Sequence, residues 1–277
     1  MSSTRKLWIG LALLLSASFA VLLFIGGEIH RQAPPMPARV AAADGTTIYD
    51  RADIEKGRQV WQSMGGMQFG SIWGHGSYVA PDWSADWLHR EAEAVADLWA
   101  RRETGVGFAA LDAGERAALT GRLRLALRAN SYDPTTGTVR LDQDRVVAIS
   151  NVAAHYESLF GNDPASARLR EAYAMKNDTV PDADHRRALT AFFWWTAWAA
   201  MTERPGRDIT YTNNWPSEPL LGNTPPPSMW VWSAFSVLFL IAGIGLLGWH
   251  HAVTHGRDNA PHILPATDPL AMVRVRE

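Results

Sequence analysis

Two uncharged apolar segments, one near each end of the chain, constrain the fold more than any other feature. They cover residues 7–27 and 228–249, and tryptophans lie near both ends of the second segment. A helix needs roughly 20 apolar residues to cross a hydrocarbon core of about 30 Å. We therefore predict two transmembrane helices. The first segment is longer than the apolar region of about 7–15 residues in a cleaved signal peptide, which favours an uncleaved anchor.

Basic residues beside the two segments predict how they are oriented. Arg5 and Lys6 precede the first segment, and Arg257, Arg274 and Arg276 follow the second. Because arginine and lysine are enriched on the cytoplasmic side of membrane helices, we expect residues 1–6 and 250–277 to be cytoplasmic. Residues 28–227 would then form one domain outside the cytoplasm.

The composition excludes several classes of function. The chain has 26 basic and 28 acidic residues and a formal net charge of -2, so no basic face indicates a nucleic-acid partner. It contains no cysteine. Disulfides, zinc-thiolate sites, iron–sulfur clusters and covalently attached c-type haem are therefore excluded.

Residues 28–227 have the pattern of a mostly α-helical domain with minor β structure. Turn residues with a short β-branched run between residues 130 and 142 predict a hairpin, and residues 46–49 predict another short strand. Residues 188–201 (ALTAFFWWTAWAAM) are apolar on nearly every side but too short to span a membrane, so we expect them to be buried in the domain or to lie against membrane helices. Capping residues and apolar spacing predict helices that begin near Ser84, Asp112, Asp142, Pro164 and Asp182.

Residues 57–90 join a predicted helix to a loop rich in glycine and aromatic residues. The helix ends at Gly65-Gly66, and the loop runs to Pro81-Asp82. Asp82 or Ser84 can cap the backbone N–H groups of the next helix. A loop of this composition either wraps a flat cofactor or seats one domain on another.

Three long motifs carry a resemblance to a known family. They are WGHGSYVAPDWSADWLHRE (residues 73–91), AFFWWTAWAA (residues 191–200) and YTNNWPSEPL (residues 211–220). The chain resembles the N-terminal portion of quinol-dependent nitric oxide reductases of the single-chain type, in which these motifs occur in the same order. The resemblance extends from the first apolar segment through the second.

The resemblance implies a membrane-anchored cytochrome c-like domain without haem, which caps a separate catalytic core on a bacterial inner membrane. In that family the core reduces two nitric oxide molecules to nitrous oxide with electrons from membrane quinol. The core carries two b-type haems and a non-haem iron, and this chain would carry no cofactor of its own. By this comparison we expect a truncated product, a frameshifted gene product or a split subunit. Its partners would be the core, membrane lipid and, through the core, quinol.

The family resemblance also locates the degenerate haem positions. In haem-bearing relatives, a Cys-x-x-Cys-His motif precedes a GxGxY segment, which corresponds here to residues 74–78 (GHGSY). Counting back places Gly66 and Phe69 at the cysteine positions and Gly70 at the axial histidine. Neither thioether attachment nor iron ligation is possible with these side chains. We predict that Phe69, with Met67 and Trp73, fills the vacated space.

The same comparison implies a calcium contact and a docking surface. Related enzymes built from two chains bind calcium through main-chain oxygens of the matching glycine and tyrosine, here Gly76 and Tyr78, although ordinary turn geometry explains the segment equally well. His75 is predicted to be a structural or interface histidine rather than a metal ligand. The predicted docking residues are Trp73, His75, Trp194, Trp195, Trp198, Asn213, Asn214 and Trp215.

Other candidate groups have simpler explanations. His251 and His255 have metal-ligand spacing but directly follow the second apolar segment. Glu91, Glu93 and Asp97 alternate with arginines, which predicts a solvated helix face rather than an acid–base site. The aromatic run at residues 192–198 is predicted to pack in a core rather than bind quinol. A two-span sensory protein that acts through a partner remains an alternative, and an electron-transfer cytochrome is opposed by the missing cysteines.

Overall fold

The structure is a computed structural model that describes residues 3–258, apart from the side chains of Ser3, Leu7 and residues 255–258. It forms two compact units that divide between Pro225 and Pro226. The predicted tail beyond residue 258 lies outside the described residues, as does the side chain of His255.

Each unit contains one long apolar helix. Helix α1 (Ser3–Arg31) belongs to the first unit and helix α8 (Pro227–Asp258) to the second. Their most apolar stretches have mean hydropathies of 2.5 and 2.1 and are not buried inside the structure. Both helices are long and apolar enough to cross a membrane, as predicted, and they suggest that the chain is membrane-anchored.

The domain that follows α1 is mostly helical, as the sequence predicts. Asp112, Asp142 and Asp182 each cap a helix by accepting a hydrogen bond from the backbone three residues later, and Asp112 forms the predicted capping box with Glu115. The helix predicted from Pro164 begins with a 3₁₀ turn at Pro164–Ser166, which leads directly into α6 (Ala167–Ala172). The helices are α2 (Arg51–Ser63), α3 (Trp83–Thr104), α4 (Ala113–Arg128), α5 (Gln143–Phe160), α6 (Ala167–Ala172) and α7 (Ala183–Met201), with 3₁₀ turns at Gly66–Gln68, Phe108–Ala110, Pro164–Ser166 and Pro219–Leu221.

A small sheet closes one side of the domain. Its strands lie in the order β2 (Thr47–Asp50), β1 (Arg39–Ala42), β6 (Thr138–Leu141) and β5 (Tyr132–Asp133). Strands β1 and β6 run parallel, with Val40 opposite Val139, and the two outer pairs are antiparallel. The predicted hairpin at residues 130–142 therefore exists, but the sequence did not indicate its parallel partner. A separate two-stranded pair comprises β3 (Ser71–Ile72) and β4 (His75–Gly76).

Helix α7 lies at the centre of the domain. It packs against α2, α3 and α5, and nearly all of its residues from Ala188 to Met201 are buried. The α2 backbone approaches α7 closely at Gly57, where an added Cβ would lie 2.0 Å from the carbonyl oxygen of Ala188. The apolar run of α7 is therefore a core helix, which explains why its hydrophobicity extends to nearly every side.

Candidate functional site

The candidate site is the glycine-aromatic loop, residues 65–82, which connects α2 to α3. It contains a 3₁₀ turn at Gly66–Gln68 and the short β3–β4 pair. Trp73 lies at the tip of this pair with φ +53°. Gly76 is required by close packing, because a Cβ at this position would lie 2.2 Å from the carbonyl oxygen of Gly70. The loop is thus folded back on itself.

Asp82 holds the loop to the start of α3. Its Oδ2 accepts hydrogen bonds from the Ser71 hydroxyl at 2.8 Å and from the Gly74 N–H at 2.6 Å. Its Oδ1 accepts one from the Ala85 N–H at 3.0 Å and one from the Ser84 hydroxyl. Asp82, predicted as the cap of α3, therefore also fixes the β3–β4 pair, because its one carboxylate accepts hydrogen bonds from both segments.

A cluster of fully buried aromatic rings lies beneath the loop. Trp83 stacks on Phe193 with ring centroids 5.8 Å apart, and it meets Phe160 edge-on at 5.3 Å. Trp87 stacks on Tyr156 at 5.2 Å. The interior behind the loop is therefore occupied by side chains from α3, α5 and α7.

Several polar groups are buried in this aromatic interior, some with a hydrogen-bond partner and some without. The Tyr156 hydroxyl donates to Asp86 at 2.6 Å, and burial followed by the Asp86 charge raises the pKa of Tyr156 well above its ordinary value. Three indole N–H groups, those of Trp83, Trp194 and Trp198, are buried without a hydrogen-bond partner among the described residues. Each unpaired group costs about 1–3 kcal/mol, so close ring packing has to offset that cost.

The comparison with protein families covers most of this domain. Residues 37–217, more than half of the chain, match the family described as the cytochrome c-like domain of nitric oxide reductase NorB. The chain belongs to the NorB family of nitric oxide reductases. A comparison with curated proteins finds no match.

The residues of this NorB domain do not fit a covalently bound haem. The sequence has no cysteine to form a thioether. At Gly66 an added Cβ would lie 2.1 Å from the ring of Trp61, and at Gly70 it would lie 2.5 Å from the indole nitrogen of Trp83. Side chains larger than glycine at these two positions would collide with the aromatic interior.

The space beside the degenerate haem positions is filled differently from the prediction. Trp61 covers Gly66 and Trp83 covers Gly70. Phe69 and Trp73 are only partly buried at the edge of the core, and Met67 is 49% exposed. The prediction that Met67, Phe69 and Trp73 fill the interior is therefore wrong for the buried space, because the two flanking helices supply the rings.

The predicted docking tryptophans separate into core and surface residues. Trp194 and Trp198 are fully buried, so they pack within the domain and present no surface to a partner. Trp195 is partly exposed, and its indole N–H donates to the carbonyl of Pro35 at 3.1 Å. Trp73 lies 5.6 Å from the Trp195 ring and donates its indole N–H to the carbonyl of Thr196 at 2.9 Å.

The two other predicted residues of the loop, His75 and Tyr78, lie at its exposed end. His75 is exposed, and its Nδ1 lies 3.1 Å from the carbonyl oxygen of Trp73. Tyr78 is 91% exposed and the neighbouring Val79 is 54% exposed. The backbone between His75 and Tyr78 is tied to the rest of the loop by the Ser77 N–H, which donates to the carbonyl oxygens of Met67 at 2.8 Å and Gly70 at 3.0 Å. Val79 was not identified from the sequence, since a single valine in a loop carries no distinctive pattern.

A buried arginine organises the YTNNW segment. Arg128 of α4 donates to Glu203 at 2.7 Å, to Asn223, to the carbonyl of Asp208 at 3.0 Å and to Asn214 at 3.2 Å. This network ties α4 to the end of α7 and to the chain that follows it. Arg128 escaped prediction because nothing local distinguishes it from the other arginines of α4.

The other predicted residues of this segment have different environments. Asn214 is held internally by Arg128 and by the Thr210 N–H at 3.1 Å, whereas Asn213 is exposed. Both have positive φ, at +56° and +59° respectively. Trp215 packs over Gly74, where an added Cβ would lie 2.9 Å from its indole nitrogen. The structure thus brings Trp215 to the glycine-aromatic loop.

The prediction of a solvated acidic face on α3 is wrong for Glu91. It is fully buried and accepts hydrogen bonds from Arg145 Nε at 3.0 Å and Nη2 at 2.8 Å. The indole N–H of Trp87 donates to its second oxygen at 3.0 Å. Glu93 is exposed and Asp97 is bound by Arg101, as expected for a surface.

No metal-binding cluster of histidine and acidic side chains occurs within the part of the chain that the structure describes. His251 lies in α8. The predicted calcium contact at Gly76 and Tyr78 would use main-chain carbonyl oxygens, so a search for side-chain clusters does not test it. It remains a prediction.

Proposed function

We propose that this chain is the anchor and cap of a single-chain, quinol-dependent nitric oxide reductase. The complete enzyme would convert two nitric oxide molecules, two protons and the two electrons of a quinol to nitrous oxide and water. The catalytic haems and non-haem iron would belong to the membrane core. The cytochrome c-like domain would lie outside the cytoplasm of a bacterial inner membrane and seat on that core.

The glycine-aromatic loop supports the docking role. Its exposed end carries Met67, Tyr78 and Val79. The Ser77 N–H ties the backbone beside them by donating to the carbonyl oxygens of Met67 at 2.8 Å and Gly70 at 3.0 Å. A preorganised apolar surface loses little conformational entropy when a partner binds. Aromatic residues in such positions often dominate the binding energy of an interface.

Two further features support a cap through which electrons do not pass. The chain has no cysteine to attach a c-type haem. The aromatic interior leaves room only for glycine at positions 66 and 70, where a haem-bearing domain would have a cysteine and a histidine. Electrons from quinol would therefore enter the core directly. The carbonyl oxygens of Gly76 and Tyr78 would contribute to a calcium ion whose carboxylate ligands come mainly from the core.

The proposal is tested by copurification of the full chain with a coexpressed haem-bearing core of the same family. We expect a Y78S/V79S variant to recover at least about tenfold less b-type haem than the unmodified chain, since loss of an aromatic anchor commonly costs about 2 kcal/mol or more. Leu125→Ser is the matched control, because Leu125 is 77% exposed on α4.

The outcome also separates docking from folding. Equal thermal unfolding temperatures for the unmodified chain and the two variants would show that each is folded. Unchanged haem recovery with Y78S/V79S would refute docking through this loop. Calcium is tested separately with a chelator, which should lower haem recovery for the unmodified chain if the main-chain contact contributes.

A further inference from the structure

The turn after α7, residues 204–208 (RPGRD), carries two arginines without a carboxylate partner among the described residues. Arg204 Nε donates to the carbonyl of Thr210 at 3.2 Å, and Nη2 donates to the carbonyl of Tyr211 at 2.7 Å. Nη1 donates to the side-chain oxygen of Gln32. All three acceptors are neutral. Across residues 3–258, Arg204 therefore has no ion-pair partner for its partly buried charge.

The second arginine, Arg207, lies three residues further along the same turn. Arg207 is exposed, and its side chain makes no hydrogen bond or ion pair with the described part of the protein. Its backbone N–H donates to the Arg204 carbonyl at 3.1 Å, which closes the turn. Burial lowers the pKa of Arg204, and the charge of Arg207 lowers it further. Two arginines in one turn, neither of them in an ion pair with a described carboxylate, favour the binding of an anion.

The position of the turn identifies the source of that anion. Gln32, the partner of Arg204, is the first residue after α1, which ends at Arg31. Trp195 contacts the same connection at Pro35. The turn thus lies beside the domain end of the first candidate span, where headgroups meet the protein and where tryptophan is favoured.

Nearby acidic residues do not neutralise the pair. Glu28 forms an ion pair with Arg31 at 2.5 Å and accepts a hydrogen bond from Gln32 at 3.1 Å. Glu203 is paired with Arg128. Asp208 is exposed and forms no ion pair with Arg204 or Arg207 in the region that the structure covers. With Asp208 counted against the two arginines and Glu28 against Arg31, the turn and the end of α1 retain one net positive charge.

We propose that the turn at residues 204–208 binds the phosphate of an anionic phospholipid headgroup. The exposed guanidinium of Arg207 can offer two parallel N–H donors to phosphate oxygens, and Arg204 adds a second positive charge. An anionic leaflet concentrates phosphate groups at this depth. The site rests on membrane anchoring through α1 and not on docking to a catalytic core. It would fix the height and tilt of the domain above the bilayer.

The experiment is native mass spectrometry of the full chain in detergent, with phosphatidylglycerol or phosphatidylcholine added. We expect preferential retention of phosphatidylglycerol. Arg207→Gln should lower that affinity about fivefold, the factor expected for one arginine near an anionic surface. Arg207→Lys should restore only part of it, because an ammonium keeps the charge but cannot form two parallel hydrogen bonds. Arg168→Gln is the control, because Arg168 is exposed on α6 and has no ion-pair partner within residues 3–258.

Three results would overturn the proposal. The first is an unchanged phosphatidylglycerol affinity in Arg207→Gln. The second is an equal loss in Arg168→Gln, which would indicate a general effect of charge. The third is inorganic phosphate binding as tightly as the lipid with the same dependence on Arg207, which would identify a free anion as the ligand. Unchanged thermal unfolding of Arg207→Gln would show that the variant is folded.

Discussion

The buried ion pair between Glu91 and Arg145 leads to a large predicted effect on stability. The carboxylate is fully buried, and the exposed fraction of the Arg145 side chain is 4%. One carboxylate oxygen accepts both Arg145 donors, and the other accepts the indole N–H of Trp87. Removal of either charged partner would leave the other charge buried without a counter-ion.

The magnitude follows from this burial. Glu91→Leu or Arg145→Met should lower the free energy of unfolding by about 3–5 kcal/mol, the usual cost of an uncompensated buried charge. In a domain of about 150–250 residues, 1 kcal/mol corresponds to a Tm change of about 2–4 °C. We therefore expect Tm to fall by roughly 6–20 °C. The double variant should lose much less, since neither charge then has to be desolvated.

The assay is thermal unfolding of the full chain in detergent, followed by near-ultraviolet circular dichroism of the tryptophan-rich core. Glu93→Leu on the same helix is the matched control, because its side chain is 59% exposed and should change stability by no more than about 0.5 kcal/mol. A double variant as unstable as the sum of the single variants would refute the coupling between Glu91 and Arg145.

Other predictions concern the loop, one histidine and the α4 network. Gly66→Ala places a Cβ 2.1 Å from the Trp61 ring, so we expect little folded protein on expression; Gly121→Ala, whose Cβ meets no described atom within 4 Å, should raise stability by about 0.5–1 kcal/mol. Burial, and then the positive charge of Arg90, lower the pKa of His155. The stability of the folded protein should therefore be full above about pH 6.5, fall as the pH drops through that value, and level off below the lowered pKa. His155→Gln should flatten the dependence of Tm on pH between about pH 5 and 8. Arg128→Met should cost about 3 kcal/mol or more and speed proteolysis between residues 203 and 223, because it removes charge-assisted hydrogen bonds from a buried network.

Features with a strong local signal were predicted accurately. The capping aspartates mark the starts of α4, α5 and α7, because each carboxylate satisfies donors within its own first turn. The parallel pairing of β1 with β6 was missed, because it joins strands about a hundred residues apart and the sequence of a four-residue strand does not specify its partner. Likewise, Arg128 became recognisable only through partners on distant segments.

The sequence by itself determined the two long apolar helices and the absence of covalent haem. Apolar length is a local property, and a thioether requires a cysteine that the chain does not have. Only the tertiary structure decided which aromatic residues are interior. Helix α7 is apolar on nearly all sides, so its periodicity cannot separate buried Trp194 from partly exposed Trp195. The structure also decided that Glu91 lies in the core, because its stabilising partner Arg145 comes from another helix 54 residues along the chain.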